Sequence, residues 1–324
     1  MIIFGGQSHP HFTHHLATRL GVEVGSMAQE TFSNKEHSVQ IKESVNGRDV
    51  YIVQTGRGGP HGDSDLIEVL TMVHTAKINS ARSVTVVLPN YPCGRADKVD
   101  KPRTPIMARL VADLLTTAGA DHVVTMDLHA GQIQGFFSVP VDNLFASPAI
   151  HDWIIKNIVD WSESVIVSPD MGGAKRCTWL ASQLNIDFAL IHKERKVANE
   201  ISRMILVGDV KDKTCIILDD MSDTCGTLCK AAELLKENGA KKVIGIVTHG
   251  VLSGNALERI NKTDGLELLV VTNTIHQDNN LVNCPKLRCI DVTPTFAEAI
   301  RCKQERRSLD AVFEVDQFEM LSRM

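Results

Sequence analysis

Several absences narrow what this chain can be. Among the eight cysteines of its 324 residues there is no Cys-x-x-Cys pair and no zinc-finger spacing, so scattered reduced thiols are the simplest reading. There is no positive net charge. The formal value of −5 argues against a protein that lives on the phosphate backbone of nucleic acid, although a local basic cluster can still hold a small anion. No apolar run approaches the length needed to span a bilayer, so no membrane partner is expected. No basic and apolar leader precedes the strand-like Ile2-Ile3-Phe4, and a cytoplasmic address is expected. Glycine (22) and proline (11) are too sparse for collagen or a disordered chain.

What is present is a globular composition, 43% apolar and 23% charged, at a length that suits two domains. Short β-branched runs alternate with Gly-, Pro- or Asp-containing loops and with longer segments of helical spacing, which is an α/β rhythm. Strands are predicted at 50–53, 84–88, 122–126, 165–167, 188–191, 215–218, 243–247 and 268–271. Most are continuous apolar runs, as parallel strands covered on both faces require. The stretches 81–89 and 240–248 echo each other, each opening a buried strand after a helix-like segment, which points to two similar units in tandem. The boundary is expected near Phe145 to Pro148, giving domains 1–145 and 146–324. The polar end, Asp316 to Met324, is expected to be a frayed tail or a short helix.

The most informative stretch is Asp219-Asp220-Met221-Ser222-Asp223-Thr224-Cys225-Gly226-Thr227, between the buried strand Cys215-Ile216-Ile217-Leu218 and an amphipathic helix over 228–235. Backbone N–H groups at a helix start, with the hydroxyls of Thr224 and Thr227, can surround a phosphate, and Gly226 lets the backbone approach closely. Asp219 and Asp220 would be repelled by that phosphate. They make better sense gripping neutral hydroxyls such as those of a ribose. A strand end with an N-capping Asp223 or Thr224 is the plain alternative.

This pattern resembles the phosphoribosyl pyrophosphate loop of type I phosphoribosyltransferases and ribose-phosphate pyrophosphokinases, and further segments resemble the pyrophosphokinases alone. The resemblance implies two tandem phosphoribosyltransferase-like domains, each a mainly parallel sheet flanked by helices. It assigns Asp219, Asp220, Asp223, Thr224, Cys225, Gly226 and Thr227 to ribose 5-phosphate. In Phe188-Ala189-Leu190-Ile191-His192-Lys193-Glu194-Arg195-Lys196 it makes Lys193 and Arg195 catalytic; a solvated basic turn is the plain alternative. The run from Asp127-Leu128-His129 to Gly135-Phe136-Phe137 resembles another family signature. Asp127 and His129, two apart at a strand end, point to one side and are candidates for Mg²⁺, directly or through water, with Asp142 and Asp170 as further carboxylates. Asp170 opens the turn Asp170-Met171-Gly172-Gly173-Ala174-Lys175-Arg176. Thr31-Phe32-Ser33-Asn34-Lys35-Glu36 resembles the adenine segment, implying ATP contacts from Phe32, Asn34 and Glu36, in known members across a subunit boundary. The loop Pro89 to Lys98 resembles the ATP loop, with Arg95 and Asp97.

The implied reaction moves the β,γ-diphosphoryl group of MgATP to the 1-hydroxyl of ribose 5-phosphate, in a homo-oligomer built from dimers into hexamers. Departures from the family pattern are Ala96 for a glutamine and Ser138 for an acid. They keep open a non-catalytic regulatory homologue. A nucleobase phosphoribosyltransferase shares the loop but lacks the 192–196 segment and the tandem halves. Asn46, Pro102 and Asp310 depart at the family's regulatory region, so weakened or altered activation by phosphate and inhibition by ADP are expected. His9, His11, His14 and His15 form a local group in which His11 and His15 share a helical face, but no carboxylate or cysteine at suggestive spacing completes a metal set.

Overall fold

Runs of Val, Ile and Leu that can be covered on both faces form parallel strands, and the segments between them, apolar on one stripe, supply the cover. The computed structural model describes residues 1–34, 36–197 and 200–314, of which 60, 193–197, 200–203 and 311 by backbone alone. The chain forms two compact units. The first comprises Met1–Phe145 with Thr274–His276 and the segment from Val292 on; the second comprises Ala146–Asn273 with Gln277–Asp291.

The first unit contains β1 (Ile2–Gly5), α1 (Pro10–Leu20), β2 (Met27–Thr31), β3 (His37–Ile41), β4 (Asp49–Val53), α2 (Gly62–Ile78), β5 (Ser83–Leu88), α3 (Met107–Ala118), β6 (His122–Met126) and β7 (Val141–Leu144). Five of these strands form a sheet in the order β1-β4-β5-β6-β7, every pair parallel. β2 and β3 form a separate antiparallel hairpin. Helix α3 buries Ala108, Val111, Ala112 and Leu115, one stripe of its surface, and Ala108, Val111 and Leu115 join a core with Val84, Val86 and Leu88 of β5 and with Met72 and Val73 of α2.

The second unit contains α4 (Ser147–Asn157), β8 (Val165–Ser168), α5 (Ala174–Leu184), β9 (Asp187–Val197), β10 (Glu200–Val207), β11 (Thr214–Ser222), α6 (Gly226–Glu237), β12 (Lys242–Gly250), α7 (Ala256–Lys262), β13 (Leu268–Thr272), α8 (Asp278–Asn283) and β14 (Leu287–Ile290). Its sheet has seven strands in the order β10-β9-β8-β11-β12-β13-β14, with β10 alone antiparallel to its neighbour. Leu228, Ala231, Ala232 and Leu235 on one stripe of α6 join Cys215, Ile217 and Val247 in the core.

After β14 the chain forms α9 (Thr293–Glu305) and α10 (Asp310–Phe313). These residues, expected with the second half, group instead with the first unit. The reason is packing: Phe296 of α9 meets Phe12 of α1 edge to face at 5.3 Å, both fully buried, and Gln304 donates to the Tyr51 hydroxyl at 2.7 Å. The expected tail, Asp316 to Met324, lies outside the described residues. No helix among the described residues is long and apolar enough to cross a membrane.

Candidate active site

The sheet of the second unit changes its direction of growth between β8 and β11. From β8 the chain moves to β9 on one side, and from β11 it moves on through β12, β13 and β14 on the other. In open α/β sheets the crevice outside the carboxyl ends of strands at such a point is where ligands bind. Here the two strand ends carry the turn after Ser168 and the acidic loop after Leu218.

The first of these is closed by Asp170, whose Oδ1 accepts the N–H groups of Gly172 (3.0 Å) and Gly173 (3.2 Å), while the Ser168 hydroxyl donates to the Asp170 carbonyl at 2.7 Å. The turn brings Gly173 against β11. A Cβ at 173 would stand 3.1 Å from Ser168 Oγ, so a side chain there would crowd the serine hydroxyl, and 4.0 Å from Asp219 Oδ1, an ordinary contact. Asp219 and Asp220 alternate across β11; Asp220 is buried and Asp219 half-buried, with its Oδ1 accepting the Asp220 N–H at 3.0 Å. Burial first, then the Asp220 and Asp170 carboxylates, push the Asp219 carboxyl up to about 8.

Cys225, next in the loop, has a left-handed backbone (φ +58°) although it is not glycine. That reversal aims the chain into α6, and Cys225 makes no side-chain hydrogen bond to cap the helix. The first-turn N–H groups of a helix have no partner within it, and their partial positive charge favours an anion. The plain N-cap alternative does not describe this loop. The Asp223 carboxylate instead accepts from the Ser253 hydroxyl, and the Arg259 guanidinium donates to the Thr224 carbonyl. The Ser222 carbonyl accepts from Val251 (3.0 Å) and Leu252 (3.2 Å), which ties the loop to the segment after β12. Ser253 and Arg259 are bracing residues that the sequence reading missed; they lie about thirty residues along the chain, and no local pattern marks them.

In the first unit, Asp127 and His129 follow β6, and the loop after β5 lies against them. Gly94 marks the approach, since a Cβ there would be 3.9 Å from His129 Cβ and 3.4 Å from the Tyr91 carbonyl, both ordinary contacts. Asp127 is buried, holds φ at +42°, and donates its N–H to the Leu144 carbonyl at 2.8 Å. Asp97 is buried too and accepts from Gln132 Nε2 at 2.9 Å, while Arg95 and His129 are exposed. Tyr91 anchors this loop, donating its hydroxyl to the Ala108 carbonyl at 2.8 Å and meeting Phe137 edge on. Arg95, Asp97, Asp127 and His129 therefore share the carboxyl ends of β5 and β6.

Asp142 does not join them. Its Oδ2 is 2.7 Å from Nε2 of His122, whose Nδ1 is 3.0 Å from Lys303 Nζ, at the amino end of β6. The Asp142 carboxylate, expected as a metal contact, is engaged with His122 in this structure, apart from Asp127 and His129. Phe32, Asn34 and Glu36 are exposed at the tip of the β2–β3 hairpin, where Asn34 Oδ1 accepts the Glu36 N–H at 3.1 Å. The backbone of Lys193 and Arg195 runs within β9, opposite Met204 and Ile201 of β10, and not in a turn past the strand. Their side chains lie outside the described residues, as does Lys35.

Comparison with known proteins gives the arrangement a family. Residues 1–119 match the family model of the N-terminal domain of ribose phosphate pyrophosphokinase, and residues 195–314 match that of the phosphoribosyl synthetase-associated domain. The phosphoribosylpyrophosphate synthetase from Mycobacterium smegmatis is 40% identical over 94% of this chain and 99% of its own, with a TM-score of 0.88. The chain belongs to the phosphoribosylpyrophosphate synthetase family. The phosphoribosyltransferase-like α/β class implied by the sequence is the one found, with parallel sheets flanked by helices. As a synthetase of this family the chain is a transferase of nucleotide biosynthesis. More distant likenesses carry no argument: adenine phosphoribosyl transferase from Trypanosoma brucei has 19% identity, 45% and 64% coverage of this chain and that one, and a TM-score of 0.30. Orotate phosphoribosyltransferase from Aeropyrum pernix has 20%, 44% and 67%, and 0.29. Of the departures from the synthetase pattern, Ala96 is half-buried with its carbonyl accepting the Ala108 N–H at 3.1 Å, and Ser138 is exposed.

Proposed function

We propose that the chain is a ribose-phosphate diphosphokinase, transferring the β,γ-diphosphoryl group of ATP to the 1-hydroxyl of ribose 5-phosphate and releasing AMP. The observation that carries this reading is the loop at the switch point of the second sheet. There a helix start without a side-chain cap offers N–H groups to a phosphate, and two carboxylates stand beside it. The 5-phosphate binds the start of α6 and the hydroxyls of Thr224 and Thr227, while Asp219 and Asp220 accept hydrogen bonds from the ribose 2- and 3-hydroxyls. Asp223, held by Ser253, and Cys225 with Gly226 shape the loop.

In the first unit Arg95 contacts ATP phosphate and Asp97 braces the loop that presents it. Phe32, Asn34 and Glu36 take the adenine ring of an ATP held by a neighbouring subunit, which requires at least a dimer, and the family resemblance extends this to a hexamer built from dimers. The carboxylates of both units suit Mg²⁺, which prefers oxygen donors. Asp127 is buried at a left-handed backbone position, and the burial of Asp219 together with the nearby Asp220 and Asp170 carboxylates, which raise it, is what a divalent cation would offset. Asp127, with His129 directly or through water, and Asp170 are the residues that would hold the ion. When bound, it would neutralise charge on the polyphosphate.

Catalysis of this kind depends on positioning and on cations aimed at oxygens where charge grows. Lys193 and Arg195 fill that role, and the ribose hydroxyl is held in line for attack on the β-phosphorus. Incubating purified protein with ATP, Mg²⁺ and ribose 5-phosphate tests the reading by its nucleotide product. AMP supports diphosphoryl transfer, ADP indicates an ordinary kinase, and the absence of product favours a regulatory homologue.

A further inference from the structure

The start of α1 is unusually rich in imidazole. His9, His11, His14 and His15 crowd into one short stretch, and local spacing pairs only His11 with His15, one helical turn apart. The fold adds a fifth ring from far along the chain: His276, in the segment Thr274–His276 that belongs to the same unit. The His11 and His276 rings lie 5.2 Å apart at 79°, and on its other side His276 meets His9 at 5.2 Å and 82°.

These three rings do different things. His9 is buried and its Nδ1 accepts the Phe12 N–H at 3.2 Å, so it caps α1 and is fixed in place. A fixed ring edge-on to His276 limits how that imidazole can turn, which is what a positioning neighbour does for a metal ligand. His11 is exposed and His276 half-buried, and a ligand nitrogen of each lies within 4.8 Å of the other. Two imidazoles bound to one ion at about 2.0–2.1 Å each must bring their nitrogens to within roughly 4.2 Å. The bound of 4.8 Å on their separation is close to that limit, and His11 is the more exposed of the two rings. Asp278 follows two residues after His276, and two peptide units bound their Cα separation to about 7 Å, so a carboxylate is available close by along the chain.

We infer that His11 and His276 form a site for a transition-metal dication, Zn²⁺ foremost, with water or a nearby side chain completing its coordination. Imidazole donors select Zn²⁺, Cu²⁺, Ni²⁺ or Co²⁺, whereas Mg²⁺ takes oxygen donors, so this chemistry is separate from that of the proposed Mg²⁺ carboxylates.

The experiment is calorimetric titration of the full chain with Zn²⁺ alone in a non-chelating buffer near neutral pH, paired with the absorption spectrum of the Co²⁺-loaded protein. One equivalent is expected to bind. His11→Ala and His276→Ala should each weaken it at least about tenfold, since even outer partners of metal ligands are worth about 10–100-fold. His74→Ala, an exposed histidine elsewhere on the unit, should leave it unchanged. The rival donors are thiols, because all eight cysteines are free and Cys93 is exposed. A thiolate-to-cobalt charge-transfer band, or Zn²⁺ affinity that survives in both His11→Ala and His276→Ala, overturns the proposal. Should His276→Ala not fold, His11→Ala at its exposed position decides the matter.

Discussion

Asp219 keeps its proton to higher pH than an ordinary aspartate because burial at the strand end disfavours its charge, and the neighbouring Asp220 and Asp170 carboxylates add to the effect. The consequence for stability has a definite sign. A carboxyl raised from its ordinary value of 3.8 to about 8 contributes stability that is full below 3.8 and is lost as pH rises through about 8. The metal-free protein should therefore lose Tm across that window. Asp219→Asn should flatten this loss, and added Mg²⁺ should raise Tm more above pH 8 than at pH 6. Thermal melts across pH check all three, and an unchanged slope in Asp219→Asn contradicts the assignment. Lys193 is a second residue with a clear expectation: Lys193→Ala should reduce turnover by roughly 10²–10³-fold while changing ribose 5-phosphate affinity far less. A variant with normal turnover and only a raised KM would remove Lys193 from its catalytic role. Neither the strained Asp127 nor the left-handed Cys225 could be foreseen from sequence, because only glycine advertises positive φ. Their identities as site residues came from the family pattern, and their conformations came from the fold.

At the level of elements, each predicted strand from 50–53 to 268–271 corresponds to one of β4, β5, β6, β8, β9, β11, β12 and β13. They were legible because burial on both faces leaves an uninterrupted apolar run. The hairpin β2–β3 was not, since its residues are half-buried or exposed and interrupted by polar side chains. β14 is four residues with Arg288 among them, and β10 is an edge strand mixing charge with apolar residues. Missing β10 also left the predicted strand ending at 191, when pairing with β10 carries β9 on to Val197 through Lys193 and Arg195. The loop at the start of α6 depends on braces that only the fold supplies. Arg259→Ala should raise the KM for ribose 5-phosphate by roughly tenfold, the worth of a charge-assisted hydrogen bond at an exposed site, with turnover and Tm little changed. Steady-state kinetics with ribose 5-phosphate as the varied substrate read this directly, and an unaltered KM would show that the loop holds its shape without Arg259.

For the whole molecule, contacts group the chain from Val292 on with the first unit, a return that a linear reading of the sequence could not foresee. That return rests on Phe296 and Gln304 meeting Phe12 and Tyr51, contacts between residues nearly the whole chain apart. In the same returning segment Asp310 donates its backbone N–H to Ser308 Oγ at 3.2 Å, and its side chain adds a negative charge two residues along from that serine. Inorganic phosphate should consequently activate the enzyme only weakly; strong phosphate dependence would contradict that expectation. Native mass spectrometry should show hexamers that dissociate through dimers. The central claim is diphosphoryl transfer with the ribose hydroxyl as nucleophile, and the fate of that oxygen tests it most directly. With ribose 5-phosphate labelled at the 1-hydroxyl with oxygen-18, the account predicts label in the C1–O–P bridge of phosphoribosyl pyrophosphate and unlabelled AMP. Label lost to water, or ADP in place of AMP, would contradict it.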